Sequence, residues 1–168
     1  TSSVSLPTNP VFMKVTVSGD MIGILYSSNY NSVSDSITPL FLWLVQLDGT
    51  LITEPPHTIQ VPLIGEAFVG DDNGRFFLIG ESLYGPRFYR ASRNGFEFEK
   101  VVPVSSVVDA EWQDERLWIL NNSNHSLYGF DEEGQLLAGP VAVFPPGWTN
   151  ALQWLELRKS GPDLGAFF

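Results

Sequence analysis

The chain has 168 residues, 43% of them hydrophobic and 13% aromatic, with a formal net charge of −10 and a mean hydropathy of +0.04. That length and apolar content suit one packed domain, and disorder is not the expectation. The excess of acidic over basic residues, 19 against 9, argues against a nucleic-acid partner, and the absence of cysteine removes disulfides, thiolate metal sites and thiol nucleophiles together.

From the N-terminus onward, almost every segment alternates apolar and polar residues or forms a short apolar run rich in β-branched and aromatic side chains. Helix periodicity is missing, so an all-β fold is predicted. A first set of strands is expected at Val11 to Val17, Met21 to Tyr26, Pro39 to Leu47 and Leu51 to Ile59, with a Ser- and Asn-rich loop from Ser27 to Thr38. A second set follows at Ala67 to Val69, Arg75 to Ile79, Arg87 to Ala91 and Phe96 to Val102, its first turn being Asp71-Asp72-Asn73-Gly74. The third set, Val107 to Trp112, Arg116 to Leu120, Ser126 to Phe130 and Leu136 to Val143, is separated by polar clusters of hairpin length. A further strand is expected from Trp148 to Leu157, before Ser160-Gly161-Pro162 breaks the pattern. No apolar run approaches the roughly 20 residues that cross a bilayer as a helix, and the longest, Leu40 to Leu47, has strand length. No membrane insertion is expected. The chain starts at Thr1, read as processed, trimmed or cut from something longer, and the compartment is left open, with extracellular or periplasmic locations among the possibilities.

Three copies of one pattern mark these sets. Trp43, Tyr89 and Tyr128 each precede a glycine, Gly49, Gly95 and Gly134, by six positions, and the glycines are 46 and then 39 residues apart. Matching starts at Glu66-Ala67, Asp109-Ala110 and Asn150-Ala151 give a period close to 42. The segment Glu115-Arg116-Leu117-Trp118-Ile119-Leu120, followed by Leu127 to Leu137, resembles a blade of the β-propeller superfamily of the NHL, YWTD and quinoprotein-like kind. The resemblance spans roughly residues 11 to 156 and stops at the superfamily, because no subfamily signature is present.

The resemblance implies four-stranded antiparallel blades at approximately 11-62, 63-104 and 105-146, with a partial blade at 147-168. Trp43, Tyr89 and Tyr128 are then expected as third-strand core between blades. Propellers close with about four to eight blades, so the partial blade needs completion. It is expected from a second copy or another protein chain; completion by residues 1-10, with Ser2 to Leu6 beside Trp148 to Leu157 and Leu164 to Phe168 as a third strand, is the alternative.

Chemistry is sparse. His57, after Pro55-Pro56, and His125, in a turn, read as loop histidines and give no metal pair. Asp71-Asp72-Asn73-Gly74 reads as an Asn-Gly turn before it reads as a calcium loop. Asp109 and Glu111 alternate onto one strand face, beside the Asp114-Glu115 turn, and would serve glycoside cleavage only if two carboxyls met across a cleft. Trp148, after Pro145-Pro146-Gly147, is placed to stack on a sugar or to anchor in a partner. Glu66, Asp109, Glu111 and Trp148 are therefore the candidate ligand-binding residues. Arg87, Arg90 and Arg93 form a cationic stretch suited to a carboxylated partner. No nucleophile, base or metal set converges, so the expectation is a non-enzymatic binding or scaffolding module without a cofactor, acting through its loops and by association with itself or another protein. A carbohydrate-active protein, lectin or glycoside-cleaving, is the alternative, using channel-facing carboxylates and exposed tryptophans.

Overall fold

The computed structural model describes residues 12–27, 38–53, 55–61, 63–82, 85–143, 156–160 and 163–167. Among them every regular element is a β-strand. β1 (Phe12–Ser18), β2 (Met21–Ser27), β3 (Thr38–Gln46) and β4 (His57–Val61) pair in chain order as the first sheet. β5 (Leu63–Gly70), β6 (Phe76–Ser82), β7 (Arg87–Ser92) and β8 (Gly95–Val101) form the second. β9 (Val107–Gln113), β10 (Arg116–Asn121), β11 (Ser126–Phe130) and β12 (Leu136–Ala142) form the third, and β13 (Glu156–Ser160) with β14 (Asp163–Phe167) makes a two-stranded hairpin. All pairs are antiparallel and no sheet closes on itself. First strands of successive sheets are neighbours: β1 lies beside β5, β5 beside β9 and β9 beside β13.

Turn chemistry sets the hairpins. Gly49, Gly95 and Gly134, the glycines of the sequence repeat, have φ of 90°, 106° and 66°, where an L side chain is strained. Between β9 and β10 the two-residue turn is Asp114-Glu115, and both residues adopt positive φ, 52° and 59°, as a type I′ hairpin requires. The first sheet departs from expectation at its fourth strand. Leu51 makes only an isolated bridge to Val45, and β4 begins at His57. Pro55 and Pro56 have no N–H to offer a ladder, so pairing resumes only beyond them. The expected break at Ser160 is the end of a hairpin arm, with Ser160 opposite Asp163. The loop residues 28–37, residues 2–6 and residues 148–155 of the strand expected at 148–157 lie outside the described residues; its end, Leu157, pairs with Ala166 of β14, the strand expected as the third at 164–168.

Opposed residues in adjacent strands share a sheet face, and on that basis the three sheets superimpose row by row. One row is Val15, Ile24, Trp43 in the first sheet, Phe68, Leu78, Tyr89 in the second and Ala110, Ile119, Tyr128 in the third. The next is Val17, Ile22, Val45, then Gly70, Phe76, Ala91, then Trp112, Leu117, Phe130. In the second sheet these rows pack on Met21, Leu25, Leu40, Leu42 and Leu44 of the first. In the third they pack on Ala67, Val69, Phe77, Ile79 and Phe88 of the second. Two cores result, each between consecutive sheets. In the first sheet the same face stays open along β1, where Met13, Val15 and Val17 are 49%, 56% and 52% exposed. The expected core role of the repeated aromatics therefore holds for Tyr89 and Tyr128, which lie against a neighbouring sheet. Trp43 is half-buried on the open face, where its Nε1 donates to the Tyr26 hydroxyl at 2.9 Å.

Candidate functional site

At one end of the second and third sheets the β5–β6, β9–β10 and β11–β12 turns converge. They line a cleft of about 290 Å³ with Asn73, Arg75, Trp112, Glu115, Asp131, Glu132 and Glu133. Arg75 organises it. Its Nε donates to Asp71 Oδ2 at 2.6 Å, its Nη1 pairs with Glu132, and its guanidinium lies 5.8 Å from the centroid of the Trp112 ring. The same ring is stacked on Phe77, with centroids 4.7 Å apart and planes 3° apart. Trp112 is only 8% exposed, so its ring is not displayed to a sugar.

Asp71 is an anchor for the turn and for the first sheet. Its Oδ1 accepts from the backbone N–H of Asn73 and of Arg75, each at 2.8 Å, and from the Ser18 hydroxyl of β1 at 3.0 Å. Burial pushes this carboxyl up, but the hydrogen bonds from Arg75, Asn73 and Ser18 outweigh it and hold its pKa below the usual carboxylate value. Its contribution to stability is complete above the unfolded carboxyl pKa of about 3.9 and is lost as pH falls through the lower folded value. Asp71→Asn is expected to cost about 1–3 kcal/mol at neutral pH, with the gap from the wild type closing in acid. Urea unfolding at a series of pH values checks this, and a gap that does not narrow in acid would mean the charge is not what anchors the turn.

Asp131 builds the second acidic turn in the same way, its Oδ1 accepting from Glu133 N–H at 3.0 Å and from Gln135 N–H at 2.7 Å. Arg90 of β7 approaches this turn from the second sheet, with Nη1 3.6 Å from Glu133 Oε1, and also lies 3.7 Å from Glu97. Arg87 pairs with Glu99 at 2.6 Å. Two arginines of the cationic stretch are thus engaged within the chain, and the carboxylates that meet Arg90 belong to the next sheet and to its own hairpin. Sequence spacing carried no sign of these pairings, since Arg75 and Glu132 lie on different sheets.

The candidate ligand residues fall elsewhere. Asp109 and Glu111 share one face of β9, opposite Leu120 and Trp118, as alternation requires. Neither lines the cleft. The β5–β6 register skips Glu66, pairing Gly65 with Gly80 and Ala67 with Ile79, so Ala67, not Glu66, occupies the row position of Asp109. A one-residue slip of this kind reverses the face, and it arises at the turns, since five residues separate the paired Gly70 and Phe76 but four separate the matching pair Trp112 and Leu117. Trp148 and the Glu66 side chain lie outside the described residues.

His57 belongs to the join between the first two sheets, where its Nε2 donates to the Arg93 carbonyl at 3.1 Å. His125 adopts positive φ in the β10–β11 turn. Among the described residues no group of three or more His, Asp or Glu is placed to hold a metal ion. Burial and neighbouring Glu99 push the Tyr89 hydroxyl up to about 12, so it stays neutral in the core.

No protein-family model matches the chain, and no curated protein matches it. Among solved structures, the chain is similar to apo AztD from Citrobacter koseri, at 11% identity and a TM-score of 0.43 over 74% of this chain. The chain covers 45% of that one. A likeness of this degree carries no argument about function.

Proposed function

We propose that the chain is a non-enzymatic binding and scaffolding module whose successive four-stranded meanders are arranged as propeller-like blades, and that it works by protein–protein contact. One observation carries this reading: Met13, Val15 and Val17 stand half exposed side by side on the sheet face whose counterparts in the other two sheets are packed. Apolar side chains gathered on a solvent face, without a charge among them, mark an interaction surface more than a catalytic one. The cleft supports the same side. Its arginine is committed to Asp71 and Glu132, and its carboxylates Glu115, Asp131, Glu132 and Glu133 all come from the third sheet. Glycoside cleavage needs two carboxyls facing each other across a bound sugar, about 5–10 Å apart. Four acids on the turns of one sheet, with Trp112 buried beside them, do not favour that alternative.

Replacement of Val15 by a photo-cross-linking amino acid is expected to yield a covalent adduct with a polypeptide in the native host, while the same replacement at Val101, exposed on the outer strand β8, yields none. Equal labelling at both sites, or none at either, would remove the basis for a protein-binding role of this face.

A further inference from the structure

We infer that the occupant of the open face is a second copy of this chain, joined head to tail, so that the third-sheet end of each copy covers the first sheet of the other. The inference rests on the binding reading above and names its partner. The rows that include Val15 and Val17 have counterparts in Phe68 and Ala110 and in Gly70 and Trp112, and every apolar side chain among those four counterparts is at most 8% exposed because the neighbouring sheet lies over it. The face is thus patterned to be covered by a sheet of the same kind.

A second, independent feature agrees. The glycine that closes each repeat touches the neighbouring sheet in two copies out of three. A Cβ built on Gly95 would stand 3.0 Å from the His57 ring of the first sheet, and one on Gly134 would stand 3.0 Å from the Phe88 ring of the second. At Gly49 nothing lies within 4 Å, and Leu47 beside it is 59% exposed. Both ends of the first sheet's face, its β1 rows and its β3–β4 turn, are open where the repeat elsewhere is covered.

The chain itself carries the complementary surface. On the third sheet the face turned away from the second bears Trp118, Leu127 and Val141, related through Gly129 and Leu120 by strand register. On that face Leu120 is fully buried, Trp118 and Leu127 are partly buried and Val141 is 51% exposed, so the face opens toward β12. Asp109 and Glu111 share that face but lie on β9, on the side where β13 runs, away from β11 and β12. Apolar side chains left open at each end of one array, Met13, Val15 and Val17 at one and Val141 at the other, are the requirement for heterologous contact, and two such contacts related by a two-fold axis close on themselves. Two copies contribute six four-stranded sheets and two hairpins, within the about four to eight blades that rings of this kind use.

Light scattering of the full chain at micromolar concentration is expected to give twice 18.6 kDa. Val15→Glu and Val141→Glu, one at each end of the array, are each expected to halve that mass while circular dichroism stays unchanged, and Val101→Glu is expected to leave the dimer intact. A wild-type chain that is monomeric overturns the inference while leaving protein binding open if the cross-linker at position 15 captures a different polypeptide. A dimer that survives Val141→Glu but not Val15→Glu overturns the head-to-tail arrangement in favour of contact between two first sheets. An absence of both dimer and adduct removes the binding reading as well.

Discussion

Phe77→Ala is expected to lower the unfolding free energy by about 3–5 kcal/mol, the range for truncating a buried aromatic. Phe77 sits on β6, a central strand of the second sheet, with no solvent exposure. Its ring stacks on Trp112 and lies 5.7 Å from Phe88 at a 34° tilt, so truncation opens a hole between two sheets that are each held in register by their own ladders. Such sheets cannot collapse onto the hole freely, which places the cost toward the upper end. Native domains hold only about 5–15 kcal/mol in total, so this single change removes a large share. The same truncation takes away the ring on which Trp112 is stacked. The expected readings are a lower urea midpoint and a Trp emission shifted to the red. Phe77→Leu, which refills most of the volume, is expected to recover more than half of the loss. A loss for Phe77→Ala below about 1 kcal/mol, far under the buried-aromatic range, would show that the two sheets adjust independently and that this core does not join them.

The strands themselves were legible because their signal is local. The short apolar runs Met21 to Tyr26 and Arg116 to Leu120, bounded by Gly, Asn and Asp, suffice to place them within a residue or so of β2 and β10. The aromatic-to-glycine repeat was legible for the same reason and correctly marks β3, β7 and β11, since a positive φ six residues after a third-strand aromatic is a local requirement. What the sequence concealed is relational. Glu66 and Asp109 look equivalent when the chain is read by spacing, yet Ala67 pairs with Ile79 as Asp109 pairs with Leu120, because the β5–β6 connection is one residue longer between matching rows than the β9–β10 connection. Arg90 looks like a free cation among aromatics until the third sheet brings Glu133 beside it. The cleft was missed on the same grounds: Arg75 and Glu132 come from two separate turns and Trp112 from strand β9, and their only sequence trace is the placement of charged residues at hairpin corners. Pairings between sheets depend on how sheets stack, and stacking is encoded in the faces, not in any one segment.

The largest effect expected from a single added methyl group is at Gly70. The last residue of β5 passes so close to β1 that a Cβ there would fall 2.1 Å from the Val17 carbonyl oxygen and 2.8 Å from the Ser18 Cβ. The obstacle is backbone, which cannot rotate away as a side chain does. Gly70 N–H also donates to Thr16 Oγ1 at 3.2 Å, and the next residue's carbonyl accepts from Gly19 N–H at 3.2 Å, so the same few atoms tie the first strands of two sheets together. Gly70→Ala must therefore push β1 and β5 apart, and with them the Ser18 contact to Asp71. The expected cost is at or above the top of the about 1–3 kcal/mol range for overpacking. Gly49→Ala separates steric collision from backbone strain, because Gly49 has φ of 90° and open space around it; it is expected to cost only the about 1–2 kcal/mol of a left-handed conformation. Native-state hydrogen exchange on Gly70→Ala is expected to show the amides of β1 and β2 losing protection before those of β10. That order follows from the two cores being separate, since the collision lies between the first and second sheets and the third is held by the other cluster. Equal costs for the two alanine variants, or uniform loss of protection across all three sheets, would mean that the approach of β1 to β5 is not what joins the first sheet to the array.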